Sequence, residues 1–293
     1  MINKKFAIFG NNYQAKKSAS IRDILTILSL HDADVCIDSE FYHFLVDTQH
    51  MSLSLDYVFD GTDFDADYVI SMGGDGTFLK SAARVGEKQI PIIGVNMGRL
   101  GFLADISPSA FSQCIDDLYA GHCFIEKRSA MQVTSSSGEP FSPNCALNDI
   151  AILKRDNASM ITIHAYIGGE YLTTYLADGI VVSTPTGSTA YSLSNGGPII
   201  TPGTNVISLV AVAPHSLNTR PIVIPDSSEI SLRVECRSHH FLVAIDGRSE
   251  KCETNSTITI RKAPYNVNIV KRPDTHYFNT LRQKMMWGTD IRE

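Results

Sequence analysis

Asp75 lies in Gly73-Gly74-Asp75-Gly76-Thr77, directly after the apolar run Tyr68-Val69-Ile70-Ser71-Met72 and just before Phe78–Val85, a helix-type run ended by Gly86. Strand, glycine-rich turn and helix, in that order, bring main-chain N–H groups and a positive helix N-terminus up to a phosphate. Gly73, Gly74 and Gly76 carry no Cβ and are free to take φ > 0, so a ligand can approach the main chain closely. A carboxylate among such glycines has two obvious uses, general base toward a sugar hydroxyl or metal ligand. The plainer alternative is an ordinary turn whose Asp caps the helix. Lys80, one helical turn further on, either meets phosphate charge or is a solvated helix lysine.

A second constellation runs from Asp178 through Gly179–Val182 and Ser183-Thr184-Pro185-Thr186-Gly187-Ser188-Thr189-Ala190-Tyr191-Ser192-Leu193-Ser194 to Gly196-Gly197-Pro198. Hydroxyls and small residues offer donors and close approach to a polar ligand, and Tyr191 offers a stacking face. The competing reading is a plain turn between strands. The third is Leu147-Asn148-Asp149-Ile150, an amide and a carboxylate entering a strand; alone it is weak, because Asn-Asp is common at turns.

The elements that must position these residues fall into two textures. Lys5–Gly10, Asp34–Asp38, Tyr68–Met72 and Ile90–Asn96 read as strands. They alternate with helix patterns over Ser20–Leu30, Phe41–His50, Phe78–Val85 and Pro108–Ala120, and a polar turn is expected at Asn11-Asn12. Alternation of this kind predicts a parallel, doubly wound sheet, with ligands at the carboxyl ends of the strands, where the Asp75 turn falls. Neither G-x-G-x-x-G nor a Walker A sequence is present, so a standard dinucleotide fold or P-loop is not supported. Beyond Glu126 the runs are short, β-branched and aromatic: Met131–Thr134, Ala151–Leu153, Ile161–Ile167, Tyr171–Tyr175, Gly179–Val182, Val206–Val212, Glu229–Val234, Phe241–Ile245 and Thr257–Ile260. Separated by Gly, Asn, Pro or Ser clusters, they predict an all-β, sandwich-like second domain. The expected division is residues 1–127, 128–270 and a tail, 271–293, with a helix over Tyr277–Trp287 returning to the first domain.

The chain has 293 residues, 43% hydrophobic and 19% charged, the make-up of a soluble globular protein of one or two domains. Its net charge of −6 gives no reason to expect nucleic acid or an acidic membrane as partner. The apolar stretch near the start is too short for a signal peptide and Val206–Pro214 too short for a bilayer span, so a cytoplasmic location is expected. Six scattered cysteines form no CxxC pair, and nine histidines show no HExxH pattern. Buried thiols are expected rather than disulfides or zinc.

Together, Gly73–Thr77, Asn96-Met97-Gly98-Arg99-Leu100-Gly101-Phe102-Leu103, Asn148-Asp149, Asp178–Pro198 and Pro214-His215-Ser216-Leu217 resemble, in order and over essentially the whole chain, the bacterial-type NAD kinase (ATP/polyphosphate-NAD kinase) family. The resemblance implies phosphorylation of the adenosine-ribose 2′-hydroxyl of NAD to give NADP, with ATP or another nucleoside triphosphate or polyphosphate as donor. It further implies a divalent metal, expected to be Mg²⁺, and a homotetramer or homodimer. By position, Asp75 matches the family's catalytic aspartate with Gly76 beside it, and Asn148 and Asp149 match the pair that binds ribose hydroxyls. Asp178 and the stretch Thr189, Ala190, Tyr191, Ser192, Leu193 and Ser194 match residues that hold the adenine and nicotinamide ends. Lys80, Thr186, Ala213 and Arg248 complete the implied NAD-binding set; no metal ligand is assigned. Leu176 stands where some members have arginine, Ser159 where some have histidine, Arg248 where glutamine is frequent, and Lys80 where arginine is frequent. A lipid or sugar kinase shares only the Asp75 turn, and a non-catalytic NAD-binding sensor would not need Asp75.

Overall fold

The computed structural model describes residues 3–11, 18–53, 57–98, 100–138, 140–155 and 159–286. Asn12, Arg99 and Trp287, expected in a turn, a loop and the last helix, lie outside the described residues. The chain divides into two compact units, residues 1–127 with 267–293, and residues 128–266.

The first unit opens β1 (Lys5–Gly10), α1 (Ser18–Leu30), β2 (Asp34–Asp38), α2 (Ser39–His43) and β3 (Tyr57–Phe59). It continues with β4 (Tyr68–Gly73), α3 (Asp75–Val85), β5 (Ile92–Asn96) and α4 (Phe111–Tyr119). All pairings are parallel, in the order β3-β2-β1-β4-β5. The winding direction reverses between β1 and β4, so the crevice at the carboxyl ends of these two strands is where such a sheet holds a ligand. Gly10 ends one and Gly73 the other. β4 and β5 are buried along nearly their whole length, which is why they read as continuous apolar runs rather than alternating ones. α1 contributes Ile21, Ile24 and Leu28, and α4 contributes Phe111, Cys114 and Ile115, to one cluster with Phe6, Ile8, Ile70 and Ile93.

The second unit carries β6 (Phe124–Ser135, from Arg128 on), β7 (Cys145–Ala146), β8 (Asp149–Lys154), β9 (Ile161–Ile167), β10 (Glu170–Ala177) and β11 (Gly179–Ser183). The short helix α5 (Tyr191–Ser194) precedes β12 (Val206–Val212), β13 (Ile222–Pro225), β14 (Ile230–Glu235), β15 (His240–Ile245), β16 (Arg248–Glu253) and β17 (Thr257–Lys271). An antiparallel sheet of order β13-β12-β11-β8-β15-β16 packs over a second group that includes β10-β9-β14-β17. Side chains of both, among them Ile150, Ile180, Val243 and Ile163, Leu232, Ile258, form one core. This is the sandwich-like architecture expected from the strand spacing. The last stretch of β17 lies in the first unit, where Ile269 pairs in parallel with Ile92, and α6 (Tyr277–Met285) follows.

Several elements differ from expectation. The helix expected over Phe41–His50 begins earlier, because Asp38 accepts the Phe41 N–H and caps it, and continues as a π-helical turn over Phe44–Thr48. α3 begins at Asp75, not after the glycine turn. β13 and β16 went unforeseen: both are edge strands, one closed by Pro225, the other with Cys252 as its one buried residue. β17 runs far beyond Ile260, through Arg261, Lys262 and Pro264, whose polarity and ring hid its continuity.

Gly94, in the middle of β5, is where the loop that follows the strand folds back. A Cβ there would lie 2.7 Å from the Leu103 carbonyl oxygen and 2.8 Å from Ala104 Cα. Gly94→Ala is therefore expected to destabilise by about 1–3 kcal/mol through overpacking, and to push the 103–104 main chain outward. Chemical denaturation checks the first effect. A fall in turnover larger than the loss of folded protein checks the second.

Candidate active site

In the first unit the site is built on the end of β4. Gly74 is the N-cap of α3 and offers no side chain to its free N–H groups. None of Gly73, Gly74 and Gly76 uses the left-handed conformation that glycine permits. Gly73 is small because Thr77 Oγ1 would lie 2.1 Å from a Cβ, whereas positions Gly74 and Gly76 face open space. The loop after β5 is tied across this end: the Met97 N–H donates to the Gly73 carbonyl at 2.8 Å, and Gly98 N–H to Asn96 Oδ1 at 2.7 Å.

That loop closes on Asp75. Leu103 and Ala104 N–H donate to Oδ1 at 3.0 and 3.1 Å, and Phe102 N–H donates to Oδ2 at 3.0 Å. Lys284 Nζ, from α6, reaches the same Oδ2 at 3.0 Å. Gly101 makes the wrap sterically feasible, since a Cβ there would sit 2.1 Å from Oδ1. Burial by itself would push the Asp75 carboxyl up. The Phe102, Ala104 and Leu103 amides and the Lys284 ammonium outweigh it, and the net shift is downward, toward the anion. Lys80 is exposed on the same helix.

In the second unit Asn148 precedes β8 and Asp149 begins it, Asp149 opposite Ser183 at the end of β11 and the next residue, Ile150, opposite Ile245 at the end of β15. Asp246-Gly247 joins β15 to β16 as a two-residue hairpin with φ of 47° and 82° at the two positions, the type I′ geometry that Asp-Gly favours. The turn throws the Asp246 carboxylate onto three successive amides, Leu147 at 2.8 Å, Asn148 at 2.8 Å and Asp149 at 3.1 Å. Burial pushes the Asp246 carboxyl up while those amides and Arg248 pull it back, with a net upward shift. Asp149 is buried and accepts the Tyr191 N–H at the start of α5. Burial first, then the Asp246 charge, push its carboxyl up to about 7.

The hydroxyl run is largely spent on the fold. Thr184 Oγ1 donates to the Leu147 carbonyl at 2.6 Å, and Ser188 Oγ donates to the Pro185 carbonyl at 2.7 Å. Gly187 lies on the Asn148 carbonyl, 2.2 Å from where its Cβ would be. Thr186 is buried and takes a hydrogen bond from Arg128 Nη1 at 3.2 Å. Ser192 is buried too, whereas Tyr191 and Ser194 are exposed and Thr189, Ala190 and Leu193 half-buried. Asn148 Oδ1, Ser192 Oγ and Arg248 Nη2 are three polar atoms around this turn that are buried without a hydrogen-bond partner on the protein.

Asp178 and Ala213 are elsewhere. Gly179 pairs with Val212 and Leu153, at the far end of β11 from Ser183. Asp178 bonds Lys154 Nζ at 2.7 Å beside the exposed Ala213, whose φ is +43°. Within the second unit, the structure thus brings together Asn148, Asp149, Thr186, the 189–194 stretch and Arg248, and leaves Asp178 and Ala213 apart from them. Among the described residues no group of three or more His, Cys, Asp or Glu could hold a metal ion. With both Asp75 oxygens taken by N–H donors, the side chains present do not fit a protein-held magnesium. All six cysteines are free, and Cys114 is pushed up to about 12 by burial.

Asp246, Lys284 and the 102–104 amides were missed as functional parts. An Asp-Gly pair between Phe241–Ile245 and Arg248 was a legible hairpin signal for the first. No pattern in sequence links Lys284 to a residue 209 positions away.

A doubly wound sheet with an aspartate at the switch-point turn, joined to a β-sandwich domain, is the build of a nucleotide-dependent phosphotransferase. Residues 6–123 match the ATP-NAD kinase N-terminal domain and residues 147–272 the ATP-NAD kinase C-terminal domain. The chain is 54% identical over 288 residues to an NAD kinase of Bacteroides fragilis, covering 98% of this chain and 99% of that one. It is 43% identical to that of Porphyromonas gingivalis, covering 99% and 100%. Among solved structures it resembles an NAD kinase from Archaeoglobus fulgidus in complex with ATP, with TM-score 0.75, 25% identity and coverage of 96% and 98%. Yeast NADH kinase complexed with NADH shares the fold, with TM-score 0.88, 22% identity and coverage of 99% and 89%. The chain belongs to the NAD kinase family. The match of residues 147–272 to an NAD kinase domain counts against the lipid- or sugar-kinase alternative.

The buried pair Asp149–Asp246 has a measurable consequence. Asp149 binds its proton more tightly folded than unfolded, so stability falls as pH rises from about 4 to about 7. Asp149→Asn is expected to raise the thermal midpoint by roughly 2–8 °C at pH 8 and to leave it nearly unchanged at about pH 4. Melting curves at the two pH values check this.

Proposed function

We propose that Asp75 accepts the proton of the adenosine-ribose 2′-hydroxyl of NAD while the phosphoryl group passing from ATP rests against the N-terminus of α3. Phosphorylation of NAD by ATP, giving NADP, is this chain's reaction as a member of its family. Such a transfer needs positioning, neutralisation of phosphate charge and removal of one proton. The observation that carries the reading is the Asp75 carboxylate, fixed through both oxygens by three loop amides at the mouth of a free helix N-terminus. A ribose hydroxyl is a weak acid and Asp75 a weak base, so the proton moves late, as the new P–O bond forms. With no cage among the described side chains, Mg²⁺ would ride on the donor's phosphates, which is its usual habit.

Asn148 and Asp149 are the proposed ribose ligands, with Thr186, Thr189, Ala190, Tyr191, Ser192, Leu193, Ser194 and Arg248 around them, and Gly76 and Lys80 near the phosphates. Asp178 and Ala213 are separated from Asp149 by the length of β11, about 17 Å for five residues. One dinucleotide contacts both sets most simply when a second copy supplies the Asp178 end, which supports a homo-oligomer, the tetramer or dimer expected from the family. A cytoplasmic setting fits the six free thiols, and no helix among the described residues is long and apolar enough to cross a membrane.

Asp75→Asn is expected to lower kcat by about 10²–10⁴-fold with NAD affinity within an order of magnitude. The amide keeps the size but sets an NH₂ against main-chain N–H donors. Coupled NADP assay and calorimetry on one preparation test the split; kcat within a factor of a few of the parent would refute the role. On dilution, specific activity should fall in step with dissociation seen by sedimentation. Constant activity across that range would refute the shared site.

A further inference from the structure

We propose that Lys284 is a positioning residue for Asp75, holding the carboxylate in its reactive orientation and offsetting its charge beside the phosphates. This rests on the reading of Asp75 as the proton acceptor. The ammonium lies 3.0 Å from Asp75 Oδ2 and 4.6 Å from the centre of the Phe102 ring, whose own N–H donates to the same oxygen. Tyr277 packs on that ring at 6.0 Å between centroids, and Leu281 is the buried residue of α6. Positions 277, 281 and 284 share one helix face, so a single stripe of α6 anchors the helix, clamps the loop and delivers the charge.

The geometry also says how a carboxylate with its lone pairs engaged accepts a proton. A carboxylate offers about four acceptor sites, and two donors occupy each oxygen here. Three of those donors are main chain and stay with the loop. Lys284 is the donor that can yield. As the 2′-hydroxyl proton moves onto Oδ2, the ribose oxygen forms its bond to phosphorus and the bond from phosphorus to the ADP oxygen breaks. The ammonium keeps its three protons and gives up only its bond to Oδ2. Among the described residues, the charged groups around Asp75 support this assignment: Lys80 on its own helix is exposed, Asp105 at the end of the loop pairs with Lys271, and Lys284 from α6 is bonded to it.

The test uses the full chain with Lys284→Met, Lys284→Arg, Asp75→Asn and the Asp75→Asn/Lys284→Met double variant. Lys284→Met is expected to lower kcat by about 10- to 100-fold, the scale of a small misplacement of a reacting group, with KM for NAD within about three-fold. The acidic limb of its kcat–pH profile moves to higher pH, because one of the groups that favour the Asp75 anion is gone. Lys284→Arg restores most of kcat. In the Asp75→Asn background Lys284→Met changes nothing further, as expected of residues acting as a unit. Parental or raised kcat in Lys284→Met, with Asp75→Asn inactive, would overturn the Lys284 role alone. Activity in Asp75→Asn would overturn the Asp75 reading itself. Should Lys284→Met fail to melt cooperatively, Lys284→Gln takes its place: a folded protein with lowered kcat and an acidic limb at higher pH supports the role, and one whose kcat and acidic limb match the parent refutes it.

Discussion

The arrangement of the first unit depends on three consecutive main-chain N–H groups turned onto one carboxylate. Phe102, Leu103 and Ala104 can converge on Asp75 only if the chain after β5 doubles back over the strand ends. That path demands the missing side chains of Gly94 and Gly101. The carboxylate is in turn held at the helix N-terminus, where the dipole favours an anion. An aspartate that merely capped its helix would bond the N–H groups of that helix. This one is bound from outside, and its orientation is therefore fixed by residues that chemistry does not touch.

The second unit inverts this logic. Asp246 is also bound by three successive amides, yet it sits behind Asp149 and repels it. Two carboxylates in a buried corner cost stability at neutral pH, and an uncharged pair would fold better. Each is engaged in the fold: Asp246 shapes the 147–149 main chain, and Asp149 accepts the Tyr191 N–H.

Much of this was legible from residue spacing. β1, β2, β9 and β12 have the bounds that periodicity gives them, since each is a compact run of apolar or alternating residues. The edge strand β16 was not, because its charged side chains satisfy water rather than a core. The Asp75 turn stood out by residue type, whereas Asn148-Asp149 was weak alone and singled out only by the family resemblance. The hydroxyls of 184 and 188 misled, because a serine bonded to a carbonyl and a serine offered to a ligand look alike in sequence. Lys284 was invisible for a different reason: its importance is tertiary, created by α6 returning to the first unit.

The 209-residue separation of Asp75 from Lys284 has a meaning for the order in which the protein is made. Synthesis runs from the amino end, and early segments fold as they emerge. The aspartate turn and its loop are out of the ribosome long before α6. The carboxylate therefore waits, three-quarters furnished, until the last helix arrives. A chain that stops ahead of α6 lacks the ammonium. The last of the four donors on Asp75 is thereby among the last residues to be made.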